Sequence, residues 1–462
     1  MRAWDIQASY TSNMKTILRF GLFVFLLLVV AVLVVQVLAS RAIDDLLEQA
    51  ATQQRPLQRW HDSWTELEGG DAFQAMTGGS MLDDENRVPV IFVGNNWQGT
   101  ITVISLDDYR KLGVIDGIPD KLERLREIDS KFFYRLMFFA IRMAVGEGHD
   151  QYVDDMYSSI DGRLLVVSRP SFADVVAINT RTGEIAWRFP VDGRRADHMA
   201  LSPDGRFVAV SASTADKVHV IEVDTGREHA SFPTGDSPHE NVYSKDGKHL
   251  FHASIGNVFS PLDLAGGGLL KGNRVFQVVN TADYSVELAF DIREKLDAAG
   301  LEDLSPAIRP MAHTDDEKNF YFQLSFLHGL VEYDLPNDSI TRVIELPKVT
   351  TLPRTSYVND SAHHGLAISG DNRKLCVAGT MDDYVAIVDR ETEAYELLPD
   401  LGEKPYWAVT SKSGDHCYIS WSETDTMSVI DFESATEVVR IDVGDHPQRI
   451  REGYLISPVS NP

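Results

Sequence analysis

Apolar residues along most of this chain come in short runs, each introduced by a polar turn, and the runs occur in pairs. Leu164-Leu165-Val166-Val167 follows Ser159-Ile160-Asp161-Gly162-Arg163, and Phe207-Val208-Ala209-Val210 follows Ser202-Pro203-Asp204-Gly205-Arg206. A third turn of this kind is Ser244-Lys245-Asp246-Gly247-Lys248, so the pattern recurs about every 42 residues, the period of a propeller blade or a helical repeat. A second apolar run such as Val218-His219-Val220-Ile221 follows each first run. It ends in Thr182-Gly183 or Thr225-Gly226, and a third run then carries Trp187 or Phe232. Strands punctuated by turn residues exclude the helical arrays and predict a four-stranded blade.

Paired middle strands are expected at 89–106, 164–179, 207–222, 249–280, 319–334, 374–389 and 416–431. Seven such pairs predict an all-β, seven-bladed β-propeller over 87–455, with 456–462 as a tail; ring closure removes free sheet edges. Asp445-His446-Pro447-Gln448-Arg449-Ile450 repeats the segment that precedes a blade, as in Asp236-Ser237-Pro238-His239-Glu240-Asn241. The C-terminal strand is therefore expected to pair into the blade beginning near Val88.

These repeats, such as Lys217-Val218-His219-Val220-Ile221-Glu222-Val223-Asp224-Thr225-Gly226 and Met427-Ser428-Val429-Ile430-Asp431, resemble the YVTN-type, surface-layer-like propeller repeat family from Val88 to Ile450. The resemblance implies the architecture. Its functions are mixed, spanning adhesion-like modules, periplasmic binding proteins and lactonase-like or haem-linked relatives, so fold alone does not name an activity.

Before the repeats, Phe20 to Leu38 is apolar apart from Gly21 and Gln36, long enough to cross a hydrocarbon layer of about 30 Å. Lys15 and Arg19 precede it, so residues 1–19 are expected in the cytoplasm, 20–38 as a signal anchor, 39–86 as a stalk, and the propeller on the periplasmic or extracellular side of a single-pass membrane protein. A cleaved signal peptide ending near Val37-Leu38-Ala39 is the competing reading. Two excursions interrupt the repeat. Residues 117–148 contain Phe132 to Met143, apolar at helical spacing, and predict an inserted helix. It is expected as a brace on the propeller, or as a membrane-surface or partner-docking helix with Arg135 and Arg142 toward anionic groups. Residues 255–308 hold Gly266-Gly267-Gly268 and a helix-like Ile292 to Gly300, without the strand–loop–helix pattern of a phosphate cradle.

Composition narrows the chemistry. A net charge of -26, from 43 Lys+Arg and 69 Asp+Glu, argues against nucleic acid as a partner. Only two cysteines occur, which excludes a Cys-rich metal cluster and covalently attached haem. Cys376 and Cys417 fall on neighbouring blades with opposite parity, where a disulfide is sterically allowed; buried free thiols are the preferred expectation.

The innermost strand of each blade should line a central channel, and its residues are polar here: Asp154-Asp155, Asp197-His198, His239-Glu240, Arg309, His363-His364, Tyr406-Trp407 and Gln448-Arg449. A dry core would hold apolar residues at such positions. Four readings stand: a solvated mouth bonded to water; a ligand or peptide site using Asp155 and His198, with Tyr406 and Trp407 as stacking surfaces and Arg309 and Arg449 as anion partners; a divalent transition metal on His198, His239, His363 and His364; or acid–base catalysis by His239, Glu240 and Arg309, the residue types of lactonase-like propellers. The first hypothesis is a binding module for an extracytoplasmic protein or a small molecule. The alternative is a lactonase-like enzyme or a metal-dependent oxidase at the same channel. His328 is expected as a turn residue or as support for another side chain.

Overall fold

The structure, a computed structural model, describes residues 30–52, 87–258 and 271–456. Seven four-stranded antiparallel sheets form a seven-bladed β-propeller. Blades 2 to 7 each use four consecutive strands, beginning at Met156, Ala196, Pro238, Ile308, Leu366 and Pro405. Blade 1 is composite: Arg87–Asn95, Thr100–Ser105 and Lys111–Asp116 are completed by the C-terminal strand Pro447–Ile456. That strand runs antiparallel to Arg87–Asn95, with Arg87 opposite Ile456 and Asn95 opposite Pro447.

The middle strands are apolar on both faces because each sheet is packed on both sides. In Leu164–Arg169, Leu165 and Val167 join Phe92 and Val103 of blade 1, whereas Val166 joins Val208 and Val210 of blade 3. A separate apolar cluster of this kind fills each interface between neighbouring blades. The Asp-Gly turns recur because their side chains close them: Ser159 Oγ donates to Asp161 at 2.7 Å and accepts from the Leu164 amide at 3.0 Å, and Ser202 and Ser244 repeat the motif.

The two cysteines are bridged, contrary to the expectation of free thiols. Cys376 and Cys417 form a disulfide with Cα atoms 6.5 Å apart. Their strands face one another across the cluster shared by blades 6 and 7, so the apolar packing that would bury two thiols also brings them within bonding reach.

Residues 30–52, with 120–141, form a second compact unit. Helix 30–52 buries Ala39, Ile43 and Leu46. The expectation of a single-pass membrane protein is corrected here: among the described residues, no helix is long and apolar enough to cross a membrane. Within the described residues the helix is apolar from Val30 to Ala39, apart from Gln36, and then carries Arg41, Asp44, Asp45 and Glu48. Residues 20–29 of the expected anchor, and the stalk from 53 to 86, lie outside the described residues. The 117–148 excursion holds two helices, Lys121–Asp129 and Phe132–Ala144, where one was expected. The arginines considered for anionic groups are engaged: Arg135 pairs with Asp129 at 3.0 Å, and Arg142 donates to the Gly148 carbonyl at 2.8 Å. In the second excursion, Ile292–Ala298 is a helix capped by Asp291, whose carboxylate accepts from the Arg293 amide. The glycine run 266–268 lies outside the described residues.

Candidate functional site

The first strands of neighbouring blades pack against one another, blade 3 on blade 4, 4 on 5, 5 on 6, 6 on 7, and 7 on Pro447–Ile456. The polar residues lie on this inner layer where its ladders lose register. Register shifts fall between Ala196 and Met199, Pro238 and Glu240, Ile308 and Met311, and Pro405 and Trp407. In blades 2 and 6 the strands Met156–Ser158 and Leu366–Ile368 begin only after Asp154-Asp155 and His363-His364. Bulges of this kind turn side chains away from the ordinary alternation and leave carbonyls without ladder partners. Small polar residues on the second strands satisfy some of these. Ser168 Oγ donates to the Asp197 carbonyl at 2.8 Å, Ser211 Oγ to the His239 carbonyl at 3.0 Å, and Gln323 Nε2 to the Gly365 carbonyl at 2.9 Å. The recurring strand-end serine was the overlooked sign in the sequence. Gly365 is required as well, because a Cβ there would stand 2.7 Å from the Ala408 amide nitrogen.

Three imidazoles from blades 3, 4 and 6 meet as a result. The rings of His198 and His239 are 3.7 Å apart, and that of His364 lies 6.2 and 5.8 Å from them. One ligand nitrogen from each falls within 4.8 Å of the others. Each ring is anchored through Nδ1: His198 to Glu240 at 2.7 Å, His239 to Asp197 at 3.3 Å, and His364 to the Tyr406 carbonyl at 3.3 Å. All three are buried. Burial holds His198 and His364 well below the usual imidazole range, with the charge of Arg449 or Arg309 adding to it. It lowers His239 to about 4, against the pull of Asp197. The imidazoles are therefore neutral at pH 7, with Nδ1 donating and Nε2 carrying a lone pair.

Carboxylates and arginines surround them. Burial raises Glu240 to about 7 and Asp154 to about 6, in each case opposed by Arg449. Asp197 resists burial: Arg195, at 2.7 Å, and His239 hold it at about 2. Arg195 was not singled out in the sequence. Trp407 underlies the Arg449 guanidinium, whose carbon is 3.6 Å from the ring centre. The Tyr406 ring lies 4.3 Å from His364. Arg309 and Arg449 are both fully buried.

Two candidate residues lie elsewhere or are already committed. His363 joins a separate group in which Asp382 accepts from His328 at 2.6 Å and lies 3.2 Å from His363. Asp382 also accepts from the Val349 and Thr350 amides, and His328 reaches the Tyr357 hydroxyl, so this group fastens loops together. Asp155 makes a two-pronged ion pair with Arg451 at 2.9 and 3.0 Å, which ties blade 2 to the C-terminal strand.

No family model and no curated protein matches the chain, so the YVTN-type family remains a resemblance of the repeats. Among solved structures, Kuenenia stuttgartiensis hydrazine synthase is similar at 15% identity, over 67% of this chain and 96% of that one, with a TM-score of 0.48. The β-propeller domain of Myceliophteria thermophila Cps50 (Swd1) is similar at 11% identity, over 63% and 86%, with a TM-score of 0.47.

Proposed function

We propose that this propeller is a binding module whose inner layer coordinates one first-row transition-metal ion through His198, His239 and His364. One observation carries the reading: three buried, neutral imidazoles converge, each oriented by a hydrogen bond on Nδ1 that leaves Nε2 without one. Neutral imidazole is a good donor to Zn²⁺, Cu²⁺ and Fe²⁺, and a carboxylate or carbonyl on the second ring nitrogen is the usual support of a ligating histidine. Three protein ligands leave a coordination position open, as ligand exchange requires.

Elemental analysis of protein purified without chelator tests this, alongside titration of chelator-treated protein with Zn²⁺ and Cu²⁺. One equivalent is expected in the wild type and in His363→Ala, and a loss of at least tenfold in affinity for His198→Ala, His239→Ala or His364→Ala. Metal absent from every sample, with no uptake on titration, would sink the proposal. Acid–base chemistry at the same place is favoured by Glu240, whose carboxyl at about 7 can give or take a proton near neutrality. Hydrolysis of a simple lactone by metal-free protein, abolished in Glu240→Gln, would move that reading ahead.

A further inference from the structure

Beside the three histidines stand two buried cations with unmade hydrogen bonds. Arg449 is fully buried, and among the described residues its Nε, Nη1 and Nη2 have no hydrogen-bond partner. Arg309 is buried to the same degree, and its Nε and Nη2 likewise have none. The indole Nε1 of Trp407, whose ring carries the Arg449 guanidinium, is a further unpartnered donor. An unpaired buried guanidinium is among the more unfavourable groups a core can hold, and each missing charged hydrogen bond adds to that.

The neighbouring carboxylates do not relieve them. Asp197 is taken by Arg195 at 2.7 Å, Asp155 by Arg451 at 2.9 Å, and Asp360, the carboxylate whose charge acts most on Arg309, by Lys271 at 2.6 Å. Glu240 is held by Nδ1 of His198 at 2.7 Å, and neither it nor Asp154 bonds to the unpartnered arginine nitrogens. The Trp407 ring that carries Arg449 has its centre 5.9 Å from that of His198 and 6.4 Å from that of His364, and Arg309 stands on the inner strand of blade 5, which packs between those of blades 4 and 6. A divalent ion on the imidazoles would add positive charge to that region. Five guanidinium nitrogens and one indole nitrogen are thus left without an acceptor.

We infer that the inner layer takes a small oxyanion, a carboxylate or an inorganic phosphate, on Arg309 and Arg449. The planar guanidinium fork matches two oxygens of such a group, and stacking on Trp407 fixes the plane of one fork in advance. The inference extends the tri-imidazole reading, in that the open metal position and the arginines would face one ligand; the unpartnered arginine donors stand without it.

Isothermal titration of the full chain with sodium acetate and with sodium phosphate, at constant ionic strength, tests this on zinc-loaded and on chelator-treated protein. Saturable binding is expected for at least one anion, together with a rise in thermal midpoint. Arg449→Met and Arg309→Met should each weaken it about ten- to hundredfold, the loss of one or two charged hydrogen bonds. Arg449→Lys keeps the charge and loses the fork, and should retain a native circular dichroism spectrum while binding at least fivefold more weakly. Binding that survives metal removal but fails in the arginine variants supports the anion site and counts against the metal reading alone. Binding lost with the metal but unchanged in folded arginine variants overturns the arginine assignment. No heat and no thermal shift with either anion, in either form of the protein, overturns the inference.

Discussion

The carboxylate of Glu240 lies 2.7 Å from Nδ1 of His198, a contact between the inner strands of blades 4 and 3. Each residue thereby fixes the state of the other. The carboxylate selects the ring tautomer, and the ring gives a buried carboxylate its partner.

Glu240→Gln keeps the shape and removes the charge. Metal affinity should fall about ten- to hundredfold, the usual effect of losing such support, measured by competition with a chromophoric chelator. The substitution should also change stability with pH. Burial raises the Glu240 carboxyl from 4.5 to about 7, so between those values the folded protein holds a proton that the unfolded chain has lost. Its contribution is therefore most favourable below 4.5 and declines as pH rises through 7, by about 3 kcal/mol. The glutamine variant should lack this decline when metal-free urea denaturation at pH 5 and pH 8 is compared with the wild type.

Acid should nevertheless destabilise the wild type. Burial lowers His198, His239, His252, His363, His364 and His446 below the ordinary value of 6.5. The unfolded chain takes up these protons first, so the stability they contribute is present above 6.5 and lost as pH falls toward their folded values. Glu240, Asp154, Asp216 and Asp445, whose carboxyls burial raises, act in the opposite sense, four groups against six. The urea midpoint of metal-free protein should be lower at pH 5 than at pH 7. An equal or higher midpoint at pH 5 would mean that these histidines are protonated in the fold.

The Cys376–Cys417 bridge spans a sequence separation of 41 residues. Closing a loop of that length removes unfolded-chain entropy worth at most about 4 kcal/mol. The double variant Cys376→Ala/Cys417→Ala should lose about 2–4 kcal/mol in urea denaturation while keeping its β spectrum. A loss of similar size is expected for wild-type protein denatured with reductant, and no difference between reduced and oxidised protein would show that the bridge adds nothing.

Ring closure depends on Pro447–Ile456 and on the stacking beside it. Trp97 lies between His446 and His149, with ring centres at 3.7 and 3.8 Å. Trp97→Ala should lower stability by roughly 1–3 kcal/mol with the fold retained. Deletion from Pro447 onward would strip blade 1 of a strand and expose an open edge. Size-exclusion chromatography of that truncation is expected to give aggregate, and a stable monomer would show that the ring closes without it.

Legibility in the sequence followed from the range of the interactions involved. Blade number, the strand pairs and the polar character of the inner strands depend on local turns such as Ser202-Pro203-Asp204-Gly205 and on a repeat of about 42 residues, and both are written in short stretches of chain. The apolar run from 20 to 38 was also local, and the membrane crossing expected from it is overturned because, among the described residues, no helix is long and apolar enough to span. Sorting the histidines was beyond the sequence. His363 and His364 are adjacent, yet one bonds to Asp382 and the other to the Tyr406 carbonyl. Which way each ring turns is decided by a backbone that joins the blade 6 ladder only at Leu366 and by a glycine that lets blade 6 approach blade 7. The repeat determined that polar side chains would meet on the inner layer. Only the tertiary structure decided that His198, His239 and His364 converge while Arg309 and Arg449 are left with unused donors, because those outcomes depend on side-chain directions and partners supplied by other blades.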